Sequence, residues 1–202
     1  MSLYIPKHFS SDDQQRIKNL IRENPFAMLI SLQQQLAISH LPINQHADGK
    51  LYGHLARANP HSQIEGPATL VFSGPHAYIS PNWMASEVNV PTWNYATVHL
   101  QGVLKFIDDP QRSWEILKEL TEVYEGPEGW QLPEQQPYLK MPKALRVFEF
   151  QVSHIEAKFK WSQNKSGADR ALIIQNLQQQ GENAAAEQMC EPLSDAMPND
   201  PS

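Results

Sequence analysis

Between Leu51 and Tyr95 the chain gathers most of the side chains that can do chemistry. The segment LYGHLARANP puts Arg57 at the end of an apolar run and follows it with Asn59-Pro60, a turn or helix start. A guanidinium is a planar fork of donors, and the free N–H groups of a helix start add more. The pair suits a phosphate; the plainer alternative is a surface arginine facing a carboxylate. His40, His54, His76 and His99 fall in four different apolar runs. No carboxylate lies beside them in sequence, and neither HxH nor HExxH occurs, so no metal site is expected. Single hydrogen-bonded histidines, or donors to a bound anion or ring, remain open. Ser73 and His76 share one short stretch, but nothing of the GxSxG kind supports a hydrolase. Trp83, Trp93, Trp130, Trp161 and Tyr95 are either stacking surfaces for a flat ligand or core. Lys158, Lys160, Lys165 and Arg170 form a mildly basic neighbourhood. It is a solvated face or a second anion contact. No GxGxxG or GxxxxGK[ST] loop is present, which disfavours Rossmann and P-loop nucleotide enzymes.

The bulk numbers bound these readings. A chain of 202 residues with 41% hydrophobic residues supports one domain of ordinary size with a real core. Only 19% is charged, and the formal net charge is −6. That balance argues against direct, non-specific nucleic-acid binding. Cys190 is the single cysteine, so an intramolecular disulfide and a cysteine-based zinc site are excluded. No stretch approaches the roughly 20 apolar residues of a spanning helix, and no leader-like segment opens the chain. A cytoplasmic, membrane-free protein is the expectation.

The elements that must position these side chains can be read in order. Pro6 keeps the first residues extended. Ser10 or Ser11 caps a helix that carries Ile17, Leu20 and Ile21 and ends at Asn24-Pro25. Strands are expected at 26–32 and 36–43, joined through Gln33-Gln34-Gln35, and a third at 51–56 after the Asp48-Gly49 turn. Residues 67–73 and 77–80 read as two strands linked by a Ser73–His76 turn. A long strand runs over 94–107 with a bulge at Gly102. Asp109-Pro110 opens a helix with Trp114, Leu117, Leu120 and Tyr124 on one face. A Pro/Gly-rich loop over 125–142 leads to a strand at 145–161, and Ser166 caps a helix to Leu177. One domain over 1–180 is expected. Residues 181–202 read as an extension with a loose helix and a disordered tail. Antiparallel neighbours without a strand–helix rhythm predict a small antiparallel barrel with peripheral helices.

Six ordered blocks carry a family resemblance: YIPKHF at Tyr4, SHLP at Ser39, YGHLARANP at Tyr52, FSGPHAYISPNW at Phe72, VPTWNYATVHLQG at Val90 and WSQNKSGADR at Trp161. Together they resemble the PaiB-type negative transcriptional regulators, of the FMN-binding split-barrel superfamily, over about 4–177. The resemblance implies a mainly β fold, a six-stranded antiparallel split β-barrel that forms a homodimer. It implies FMN in a groove between subunits. Motif by motif, it puts the phosphate near Arg57 and Asn59, with Ser39 and His40 on the neighbouring strand. It puts His54 and Leu55 along the flavin and His76 at its polar edge. It has Trp161, Asn164 and Lys165 contributed from the WSQNKS block, from the partner subunit.

The regulatory label and the acidic chain together predict an indirect route. The chain has no helix-turn-helix signature, so a partner protein or a small-molecule signal sensed through flavin is expected. The same barrel hosts FMN-dependent oxidoreductases, and fold alone does not decide whether this chain is an enzyme. A haem-binding or haem-degrading protein is the third reading, with His8, His40 and His154 as ligand candidates by residue type.

Overall fold

The computed structural model describes residues 3–33, 35–46 and 49–190. Gln34 of the first hairpin connection, Asp48 of the expected Asp48-Gly49 turn and the tail after Cys190 lie outside them. The elements in order are α1 (Gln14–Glu23), β1 (Phe26–Leu32), β2 (Leu36–Pro42), β3 (Asn44–Gln45), β4 (Leu51–Ala56), β5 (Gly66–Ile79), β6 (Thr92–Phe106), α2 (Pro110–Glu125), α3 (Met141–Ala144), β7 (Leu145–Lys160), α4 (Gly167–Gln179) and α5 (Asn183–Cys190). The fold is mainly β, with helices peripheral to one sheet of order β2-β1-β5-β6-β7-β4-β3. The sheet has seven strands where six are expected; the extra one is the two-residue β3, too short to leave a periodic signal. No helix among the described residues is long and apolar enough to cross a membrane.

Local chemistry sets the element ends. Asp13, not Ser10 or Ser11, caps α1: its Oδ1 accepts from the backbone N–H of Gln15 at 2.9 Å and of Arg16 at 3.2 Å. Asp109 caps α2 in the same way and Pro110 takes its first turn. Ser166 caps α4 through the N–H of Asp169. The expected Ser73–His76 turn is instead mid-strand, because β5 runs unbroken over Gly66–Ile79. Two features permit this. The ladder to β1 covers only Ala68–Val71, so the missing N–H of Pro75 breaks no bond to β1. Gly74 packs closely, since a Cβ there would sit 3.2 Å from Leu20 and 3.3 Å from Ala96.

The chain falls into two compact units, one from the described parts of Met1–Leu20, Ser73–Val98 and Glu156–Ser202, the other from those of Ile21–Phe72 and His99–Ile155. In the first, Phe9, Ile17, Leu20, Phe159 and Trp161 are buried, and Ser10 bridges to Lys158. Within the expected extension, Asn183–Cys190 form the helix α5, which buries Ala185, Ala186 and Met189. In the second, α2 lays Ile116, Leu117 and Leu120 against Tyr52, Leu132 and Val147. Each such aliphatic side chain is worth roughly 1.5–3 kcal/mol when fully buried.

Gly102 lies in β6 facing the β7 backbone, where a Cβ would run into the carbonyl oxygen of Gln151. Gly102→Ala is expected to lower unfolding free energy by about 1–3 kcal/mol, the usual range for overpacking. Urea denaturation checks it; unchanged stability would show that the two strands separate freely there.

Candidate functional site

In the second unit the end of β4 is fixed by a buried polar cluster. Strand alternation turns Ser39 inward on β2 and His40 outward. Ser39 Oγ accepts from Asn59 Nδ2 at 3.1 Å and pairs with His61 Nδ1 at 3.0 Å. His61 Nε2 pairs with Ser31 Oγ of β1 at 3.0 Å. Asn59 Oδ1 also accepts from the His61 N–H, capping the short 3-10 turn Pro60–Gln63. Ser39 and Asn59 are thus brought into direct contact. His61 and Ser31 complete the cluster without having been singled out from sequence. The signal for His61 was the run Asn59-Pro60-His61, whose cap geometry aims the third residue inward.

Arg57 stands two residues before this cap. Its Nε donates to Lys143 O at 3.0 Å and Nη2 to Leu145 O at 3.2 Å. Its own N–H bonds Ala144 O at 2.8 Å. The guanidinium is exposed, and Nη1 makes no hydrogen bond among the described residues. The plain alternative, a carboxylate partner, is not what holds it. Two carbonyls orient the fork and leave its charge unneutralised beside Lys143. His40 is exposed with its ring 6.3 Å from that of Phe26. On β4, alternation separates its neighbours: Leu55 is buried in the core, while His54 lines a cavity beneath α2. Burial lowers the pKa of both His54 and His61, so each is neutral at pH 7.

The remaining sequence candidates belong to the first unit. His76 is exposed, its ring 6.2 Å from Trp93, and Tyr78 lies edge-on to Trp93 at 5.9 Å. Trp161 is buried, and its Nε1 has no hydrogen-bond partner. Asn164 is exposed in the turn after β7. Lys165 Nζ donates to Asn89 Oδ1 at 2.9 Å. Ser162, at φ 57°, donates to Asn94 Oδ1 at 3.0 Å. Asp169 accepts from Ala85 N–H at 2.8 Å and from the Ser86 hydroxyl and N–H, bonds that hold its carboxyl below the usual range, the Ser86 hydroxyl most of all. No group of His, Cys, Asp and Glu among the described residues can hold a metal ion.

Residues 3–154 match the family described as "Putative FMN-binding domain". The chain is 32% identical, over 96% of its length and 98% of the relative's, to protease synthase and sporulation protein PAI 2 of Bacillus subtilis. The chain belongs to the PaiB-type family of FMN-binding proteins. Its fold is the split-barrel type: flavocytochrome Anf3 of Azotobacter vinelandii superposes with a TM-score of 0.64 at 16% identity, covering 83% of this chain and 78% of that one. An FAD- and haem-binding protein of Mycobacterium smegmatis gives 0.62 at 13% identity, covering 80% and 78%.

FMN is the cofactor that PaiB-type membership assigns. The donor set of the second unit fits its phosphate: a cationic fork, fixed in plane by two carbonyls, exposed and without a carboxylate. FMN, when bound, supplies a ring that accepts and returns electrons. The chain's own part at this point is to orient Arg57 and to keep the strand end rigid through Ser39, Asn59 and His61.

The buried histidines give this PaiB-type chain a pH dependence. Their folded pKa values lie below the unfolded value of about 6.5. As pH falls, the unfolded chain binds protons first, so stability is full above about pH 6.5 and declines below it, toward the lowered folded values. Thermal unfolding across pH is expected to show this slope and His61→Gln to reduce it. An identical slope in the variant would remove His61 as a source.

Proposed function

We propose that this protein is a flavin-dependent sensor that regulates gene expression indirectly, as a cytoplasmic homodimer. The end-to-end correspondence with PAI 2, which is named a protease synthase and sporulation protein, carries this reading. The net charge of −6 supports a route through a partner protein or small-molecule signal rather than through DNA. Arg57 is the phosphate anchor in this proposal, with Asn59 and Ser39 behind it and His40 beside it on β2. Leu55, His76, Trp161, Asn164 and Lys165 stay in the proposed flavin set by motif position, while His54, expected along the flavin, is left out of it because it lines the cavity beneath α2.

The dimer proposal draws on one face of the β1–β2 hairpin. Phe26, Leu32, Leu36 and Ile38 lie there, 66%, 72%, 59% and 51% exposed, and Leu32 pairs with Leu36 across the ladder. An apolar sheet face of this kind calls for a cover, and a second copy of the chain is the proposed one. An FMN-dependent oxidoreductase is the second reading. The exposed rings of His76, Tyr78 and Trp93 favour it, since they offer a stacking surface for a planar substrate.

Four measurements separate these readings. The purified protein is expected to retain the visible flavin band through gel filtration after FMN is added. Arg57→Ala is expected to weaken FMN binding by about 1.5–3 kcal/mol, the worth of a charge-assisted hydrogen bond. Unchanged affinity would sink the phosphate assignment. Bleaching of the bound flavin on repeated addition of NADH, with turnover, would favour the oxidoreductase. Light scattering is expected to give a dimer that Ile38→Glu converts to monomer; a wild-type monomer that still binds FMN contradicts a shared site.

A further inference from the structure

The second unit contains a cavity of about 330 Å³ whose wall includes none of Arg57, Asn59 or Ser39. Leu117, Leu120 and Leu132 make its lining largely apolar. Tyr124 and Trp130 line it too, and both are about half exposed, at 52% and 49%. A tryptophan and a tyrosine left that open, around a hollow of ligand size, are not packing the core. His54 lines it too, through parts of the side chain other than Nδ1, which has no surface open to solvent and no hydrogen-bond partner among the described residues. Burial keeps this imidazole neutral. Glu125 is the one charged residue in the lining, so the cavity disfavours anions where Arg57 attracts them.

We propose that this cavity is a second ligand site, separate from the phosphate anchor, for a small flat aromatic molecule, neutral or cationic. The apolar walls take the ring, and Tyr124 and Trp130 supply faces for it to stack on. One or two fused rings fill a hollow of this volume. In the regulator proposed above, this is where a small-molecule signal enters. The site stands on the cavity alone and does not depend on that role.

The test uses the full-length protein saturated with FMN and indole as the probe, followed by isothermal titration calorimetry. Indole is expected to bind saturably and without displacing FMN. Leu120→Trp, which fills the hollow, is expected to abolish binding. Tyr124→Ala, at a half-exposed position that leaves the core intact, is expected to weaken it and keeps the test decisive if Leu120→Trp does not fold. Benzoate, an anion of similar size, is expected to bind more weakly than indole. Arg57→Ala, which loses FMN, is expected to keep its indole affinity, so failure of the flavin assignment is distinguishable from failure of this one. The proposal is overturned by no saturable binding at the solubility limit of indole, by unchanged affinity in Tyr124→Ala, or by one-for-one displacement of FMN.

Discussion

The hydrogen-bonded chain Ser31–His61–Ser39–Asn59 is what the candidate phosphate site depends on. It joins β1, β2 and the turn after β4 through side chains that are mostly out of water. A buried polar network of this kind is rigid when every member is satisfied and costly when one is removed. Here both nitrogens of the imidazole are paired, so the ring cannot turn without breaking a bond. The cap that Asn59 makes then fixes where the backbone leaves β4, and with it where Arg57 stands. The exposed guanidinium is therefore placed both by the two carbonyls it bonds and by a cap it does not touch.

The same device recurs in the first unit with different chemistry. Asp169, at the start of α4, ties down Ala85 and Ser86 in the loop after β5. Arg170 donates to the carbonyls of Trp161 and Met189, at 2.5 and 2.7 Å, joining the end of β7 to α5. Lys160 donates to Trp93 O at 2.7 Å and bonds Thr92 Oγ1. Its pKa is lowered, first by burial and then by the nearby charge of Lys158. The basic residues that the sequence groups together are thus largely spent on holding backbone. Lys158 itself donates to Tyr4 O at 2.9 Å. Arg57 of the second unit, by contrast, keeps Nη1 free of hydrogen bonds among the described residues.

Much of the fold was legible because its signals are local. Alternation marked β1, β4 and β7 to within a residue, and Asp109-Pro110 announced α2. The Ser73–His76 turn was misread because Gly and Pro look like turn residues wherever they stand. Only the position of the β1 ladder shows that Pro75 has no bond to lose there. The capping residue of α1 slipped from Ser10 or Ser11 to Asp13 for a similar reason: several residues qualify, and geometry chooses. In the site, Asn59 and Ser39 were legible through motif position, and they do meet. His61 was not, since a histidine becomes informative only when two serines from other strands face it. The cavity under α2 had no sequence signal, because its walls are ordinary leucines whose separation is set by packing. Motif position alone groups His76, Trp161, Asn164 and Lys165 with the proposed flavin set, and the contacts they make in the structure lie within the first unit.

The first unit also has a consequence for how the protein is made. Leu3 N–H bonds the Glu156 carboxylate, and Tyr4 O receives Lys158, across separations of 153 and 154 residues. At ribosomal speeds of about 5–20 residues per second, the first of these segments waits roughly 8–30 s for its partner to be synthesised. Through that interval Tyr4 and Phe9 have no strand to rest on. The opening residues must stay harmless while exposed, and a run that places Pro6 and Lys7 between the apolar side chains and follows them with Ser10, Ser11, Asp12 and Asp13 is suited to that delay.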